Sequence, residues 1–200
     1  MSKLKSETKV LITNARLSYP RLFVPYTFDD KQNPKYSASL VISKDDTDTI
    51  DLIKQAIENA FEKGKPKFSG KKKSALNYPL RDGDTDRPDD EVYKNAYFLN
   101  ANSKNRPDVV DKYLDPKTKK PVVLTEEEVY PGCYVNATIN FYPYAVRGNA
   151  GIAAGLGNVQ KVKDGKRLGG ATSAGQDFSF EEALTFDLDD TEAANGWLEE

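Results

Sequence analysis

Residues 133–146 read CYVNATINFYPYAV. Cys133, Val135, Ala137, Ile139 and Phe141 alternate with Tyr134, Asn136, Thr138, Asn140, Tyr142 and Tyr144. Successive side chains of a strand point to opposite faces. The spacing therefore predicts a half-buried strand with an apolar inner face and an outer face of tyrosines set between polar residues. Gly148-Asn149-Ala150-Gly151 closes a hairpin onto a second strand, 152–162, and Lys163-Asp164-Gly165-Lys166 makes the next turn. This long hairpin sets the character of the chain, which is mostly β.

Towards the N-terminus, Lys9 to Ser18 predicts a strand that Tyr19-Pro20 ends, because proline donates no ladder bond and drives the preceding residue extended. Tyr36, Ala38, Leu40 and Ile42 share one face of another strand. The clearest helix follows, from Asp46 to Lys63. Ile50, Ile53, Ile57, Ala60 and Phe61 form its apolar stripe, acids crowd its start and Gly64 stands as its cap. Residues 65–90, with three prolines and the run Lys71-Lys72-Lys73, read as one long loop. Strand patterns resume at 93–102, 109–114 and 122–124. After Gly169-Gly170 comes a flexible Ala/Thr/Ser/Gly link. The expected organisation is a domain over 1–170 and a tail over 171–200, acidic and disordered or only locally ordered.

Composition narrows the chemistry. The chain has 200 residues, enough for one domain with an appendage. It has no histidine, which removes Ser-His-Asp and Cys-His catalysis and histidine metal sites. The single cysteine, Cys133, allows neither an internal disulfide nor a thiolate zinc cluster. No apolar run is long enough for a membrane helix, and the start lacks the core of a secretory signal. The expected compartment is cytoplasmic, with no membrane partner.

The net charge of −2 conceals a division. All 29 Lys and Arg residues lie at or before Arg167; against 22 acids they leave the body at +7, and the tail holds nine acids and no base. A basic body with an acidic tail points to a polyanion partner.

Tyrosines interspersed with asparagines can stack bases and hydrogen-bond their edges, at about 1–3 kcal/mol per stacked base for any sequence. Tyr134, Tyr142 and Tyr144 are the candidates, with Lys71, Lys72, Lys73, Arg147 and Lys161 to neutralise phosphates. Tyr97 and Phe98 sit on opposite faces of their strand, so at most one joins the platform. Arg16 is a further cation on a strand with hydrophobics on both faces. The plainer alternatives are that the tyrosines are ordinary cross-strand pairs and the lysines a solvated loop. Asp82-Gly83-Asp84-Thr85-Asp86 fails as a calcium loop, because its sixth and twelfth positions hold Arg87 and Tyr93. Gly155-Leu156-Gly157 marks a close backbone approach or a bulge rather than a dinucleotide fingerprint.

Six stretches carry a family likeness: ARLSYPRLF (15–23), the helix after YSASLVISKDD, PLRDGD (79–84), YFLNANSKNRPDVVD (97–111), VYPGCYVNATINFYPY (129–144) and GLGNVQKVKDGKRLGG (155–170). In order and spacing the chain resembles the single-stranded-DNA-binding proteins of tailed bacteriophages, long known only as a phage domain of unknown function. The resemblance implies an OB-fold-like β-barrel with one helix, where strand patterns alone also allow a sandwich. It implies a non-enzymatic, sequence-indifferent binder of single-stranded DNA, without cofactor or metal, in phage replication or recombination within the infected host's cytoplasm.

Bacterial single-strand binders also recruit replication proteins through an acidic tail. Here Asp189, Asp190, Trp197 and Leu198 would serve that role, although the usual Pro-Phe terminus is missing. Two rivals stay open. One is a magnesium-dependent nuclease using Asp82, Asp84, Glu91 and Asp111; the other is a structural phage protein whose tyrosine face is a subunit interface.

Overall fold

The computed structural model describes residues 1–27, 33–146 and 148–169. Arg147 and the tail residues Asp189, Asp190, Trp197 and Leu198 lie outside the described residues. In chain order the strands are β1 (Lys3–Ser6), β2 (Lys9–Tyr26), β3 (Lys35–Ser43), β4 (Leu80–Asp82), β5 (Ala96–Ser103), β6 (Val109–Leu114), β7 (Pro121–Val123), β8 (Tyr134–Val146) and β9 (Asn149–Lys163). Helix α1 (Thr47–Gly64) lies between β3 and β4.

Five strands close on themselves. β3 pairs antiparallel with β2 and β5, and β8 with β2 and β9; a parallel bridge from Asn102 to Gly155 joins β5 to β9. Numbered along the chain, the ring runs first, second, third, fifth, fourth. This is the closed Greek-key barrel of the OB type, which leaves no edge within the ring. The remaining strands decorate it: β1 beside β2, β4 beside β5, and the β6–β7 hairpin beside β9.

The barrel fills with the apolar faces the alternation predicts. Val135, Ala137, Ile139 and Phe141 of β8 meet Ala38, Leu40, Leu99, Ile152 and Leu156, and each is at most 6% exposed. The stripe of α1 (Ile50, Ile53, Ile57, Ala60, Phe61) joins the same cluster, with Asp46 capping the first turn through Thr49 N–H at 3.2 Å. Among the described residues no helix is long and apolar enough to cross a membrane.

Three expectations need correcting. β2 does not stop at Ser18 but runs on to Tyr26 through Pro20 and Pro25. Past Leu17, the ladder partners of β2 lie on β3 alone, at Ser18, Arg21 and Tyr26, so the prolines fall where no ladder donor is required. Residues 65–90 are not one loop, because β4 and a helical turn (Gly83–Asp86) lie within them. Gly64 ends α1 in the right-handed helical region, not the left-handed one. A Cβ there would stand 2.3 Å from that of Pro143 and 2.8 Å from the Phe68 ring, so glycine is required by close approach. The expectation of a bulge near Gly157 holds: its Cβ would meet Thr138 Oγ1 at 2.3 Å, where the β8–β9 register shifts.

Candidate nucleic-acid interface

The second and third strands of the barrel, β3 and β5, present Ser37, Ser39, Asn100 and Asn102 to an open cleft of about 760 Å³. The extension of β2 beyond Ser18, with the residue that follows the strand, supplies one wall: Tyr19, Arg21, Tyr26 and Thr27. Tyr19 sits at φ +43, where the β2–β3 register shifts, and is 63% exposed; Tyr26 is 46% exposed. Arg21 lies 5.0 Å from the Tyr26 ring centroid, and Arg87 lies 5.5 Å from that of Tyr19. Lys35 adds a third cation to the lining. Aromatic faces alternating with guanidinium groups over a polar floor suit a flexible polyanion that carries flat bases.

A strap from Gly83 to Asn95 crosses this face and bounds the cleft. Tyr93, 1% exposed, donates its hydroxyl to Ser18 Oγ at 3.1 Å and meets Phe98 edge-on at 4.9 Å between centroids. The aspartate string anchors the strap. Lys44 Nζ reaches Asp82 and Asp84 at 2.7 Å each, and Asp84 also accepts from Asn95 N–H at 2.9 Å. Those hydrogen bonds, Lys44's first, hold the Asp84 carboxyl below its ordinary value, and the same two aspartates raise Lys44. Gly83 is obligatory, since a Cβ would lie 2.1 Å from Tyr93 O. These carboxylates thus have structural partners, and among the described residues no three side chains of metal-ligating type converge.

Beyond the strap lies a smaller recess of about 270 Å³, whose lining includes Asn14, Arg16, Lys94, Asn95 and Tyr134. Arg16 and Tyr134 face each other across the β2–β8 ladder, so the structure brings these two expected residues together. The other expected residues are scattered. Tyr142 is 40% exposed and lies across Gly155, whereas Tyr144 is half-buried, its hydroxyl accepting from Asn77 at 3.3 Å. Lys71 reaches over the β8–β9 turn to Gly148 O at 2.7 Å; Lys72 is exposed, and Lys73 pairs with Glu58.

Lys161 is committed to structure, donating to Glu128 O at 2.7 Å and pairing with Asp164 at 2.8 Å. Burial opposes its charge, but the bond to Asp164 and that carboxylate's field outweigh burial and raise its pKa. Tyr97 lies between Lys44 and Lys54, at 5.2 and 5.8 Å from its ring centroid. Phe98 is fully buried beneath Tyr93 and Arg87, so the strand question resolves against it as a surface residue. Sequence reasoning missed Tyr19, Arg21, Tyr26 and Arg87. The signal is present in SYPRLFVPY, where aromatics and a cation flank two prolines, but by local rules those prolines end a strand.

The chain matches, over residues 8–190, the family model described as the single-stranded-DNA-binding protein of Enterobacter phage Enc34. A protein called p50 from Acyrthosiphon pisum secondary endosymbiont phage 1 is 36% identical over 177 residues, covering 85% of this chain and 92% of that protein. The Enc34 single-stranded-DNA-binding protein, solved in complex with single-stranded DNA, is 27% identical with a TM-score of 0.70, covering 84% of this chain and 98% of the other. The single-stranded-DNA-binding protein gp2.5 of bacteriophage T7 is 15% identical with a TM-score of 0.51, covering 84% and 94%, a likeness of fold alone.

Proposed function

Because the chain belongs to the phage single-stranded-DNA-binding family typified by Enc34, a family of binding proteins and not of enzymes, we propose that it binds single-stranded DNA, largely without regard to sequence, during phage DNA replication or recombination in the host cytoplasm. The observation that carries this reading is the cleft on β3 and β5, where exposed Tyr19 and Tyr26 stand among Arg21, Lys35 and Arg87. OB barrels generally bind oligonucleotides on this face. Stacking and phosphate neutralisation require no base identity, and the cleft offers both. Tyr142, Lys71 and Lys72, whose head groups stay exposed, extend the contact area; Tyr134 and Arg16 line the recess beyond the strap.

Fluorescence titration with single- and double-stranded oligonucleotides at several salt concentrations tests the reading. Affinity for single strands should dominate and fall steeply with salt. Equal affinity for both forms, or none for either, overturns it. Arg21→Gln and Arg87→Gln should each flatten the plot of log affinity against log salt by about 0.7, the increment for one phosphate contact on a single strand. An unchanged slope would remove these two cations from the path.

The tail enters the same proposal. Nine acids tethered to a body of +7 are a competing polyanion at high effective concentration. Asp189 and Asp190 would steer a replication or recombination protein towards Trp197 and Leu198. Truncation after Gly170 should raise DNA affinity at low salt and leave it nearly unchanged at high salt, because exposed charges are screened beyond ~8 Å at physiological ionic strength. Identical binding at every salt concentration would show that the tail does not compete.

A further inference from the structure

Among the described residues two buried polar side-chain atoms lack a hydrogen-bond partner, Arg16 Nε and Ser39 Oγ. They lie in one strip of the barrel's outer face. Arg16 pairs across the ladder with Val41, and Ser39 with Ser18, to which Tyr93 of the strap is bonded. Ser39 lines the cleft and Arg16 the recess, one on each side of the strap. Arg87 of the strap faces the cleft, while Lys94 and Asn95 face the recess. The binding face is thus one surface divided by a wall, with polar side chains lining it on both sides.

Resting on the single-stranded-DNA reading above, we propose that the recess is a second subsite on the same path, taking one nucleobase that leaves the run of bases in the cleft and crosses the strap. Its volume of about 270 Å³ falls below the ~300–1,000 Å³ typical of pockets for drug-sized ligands, which suits a single base rather than a stretch of strand. Its chemistry favours a base over a phosphate. Asp46 lines it beside Arg16 and Lys94, so a negative group would meet a carboxylate, whereas a base offers donors and acceptors to both signs. Arg16 lines the recess with its guanidinium held in place by the Nη2 bond to Lys166 O at 3.2 Å, one of the five N–H donors a guanidinium carries. The Tyr134 ring is fixed by Lys163, 4.3 Å from its centroid, and by Gly165, where a Cβ would stand 2.9 Å from the ring. It is a pre-set wall for a flat ligand.

The test measures full-length protein against oligothymidylates of increasing length, for the wild type, Arg16→Met and Tyr134→Leu. Arg16→Met keeps the buried stem and removes the donor. Oligonucleotides too short to cross the strap should bind all three proteins alike. At the length where the wild type gains its next step of affinity, each variant should fall behind by about five- to hundred-fold, the range expected for one stacked base. Equal binding at every length, or an equal loss at every length, overturns the second subsite while leaving the cleft intact. Absence of wild-type binding at any length instead overturns the parent reading. If either variant melts early, an abasic scan of the shortest full-affinity oligonucleotide replaces it. One sensitive position separated from the contiguous set supports the subsite, and a single contiguous set overturns it.

Discussion

Tyr19→Ala and Tyr26→Ala together should weaken single-stranded-DNA binding by about 2–6 kcal/mol, on the order of 1–3 kcal/mol for each base that loses its ring. The fold should tolerate the change, because the two residues are 63% and 46% exposed and neither belongs to the core cluster. Arg21 and Arg87 remain in the double variant, so the salt dependence of binding should survive while affinity at fixed salt collapses. Fluorescence titration at one salt concentration reads the affinity, and a thermal melt reads the fold. Tyr142→Ala is the informative comparison. Tyr142 stands on the outer face of β8, does not line the cleft, and should cost less than the pair. If it costs more, the principal platform is the outer face of β8 and the cleft is secondary.

That comparison turns on how the sequence displays its strands. β8 is legible because one parity holds from Tyr134 to Tyr142: its odd positions are buried and its even ones are not. β2 is not legible in this way. Val10 and Ile12 point inward, then Asn14 adopts φ +56 and shifts the register, after which Ala15 and Leu17 point inward instead. A bulge reverses parity. Read without it, the strand shows apolar residues on both faces and hides the outward course of Arg16. A second irregularity at Tyr19 carries the chain past Pro20, so the wall of the cleft reads as a loop.

The lysine run misleads for a different reason. Lys71, Lys72 and Lys73 are adjacent in sequence but diverge in space, to the hairpin turn, to solvent and to Glu58. Charge clusters in sequence predict charge on a surface; they do not predict one surface. The aspartate string illustrates the converse. Its members look like ligands until Lys44, far earlier in the chain, is found between them.

Phe98→Ala should destabilise the protein by about 3–5 kcal/mol, the usual cost of removing a buried aromatic side chain. Phe98 is 0% exposed and is the surface on which the strap rests. Tyr93 packs edge-on against it, and the guanidinium groups of Arg81 and Arg87 lie 5.1 and 5.5 Å from its centroid. Its loss leaves a cavity between β5 and the strap, not in the barrel, because Phe98 belongs with Val41, Tyr93 and Ala96 in a cluster of their own. The denaturation midpoint should drop with little change in the slope of unfolding, since the surface exposed by the unfolded chain is nearly the same.

Binding should respond in a way that separates support from contact. Arg87 would lose part of the aromatic bed that holds it over the cleft, so affinity should fall at temperatures where the variant is still folded, but by less than in the Tyr19 and Tyr26 double variant. A larger loss of affinity than of stability would mean that the strap lifts and Phe98 itself meets the bases. The opposite result, a stability loss with affinity almost unchanged, would mean that the two tyrosines and Arg21 suffice to hold the strand and that the strap only shapes the cleft from outside.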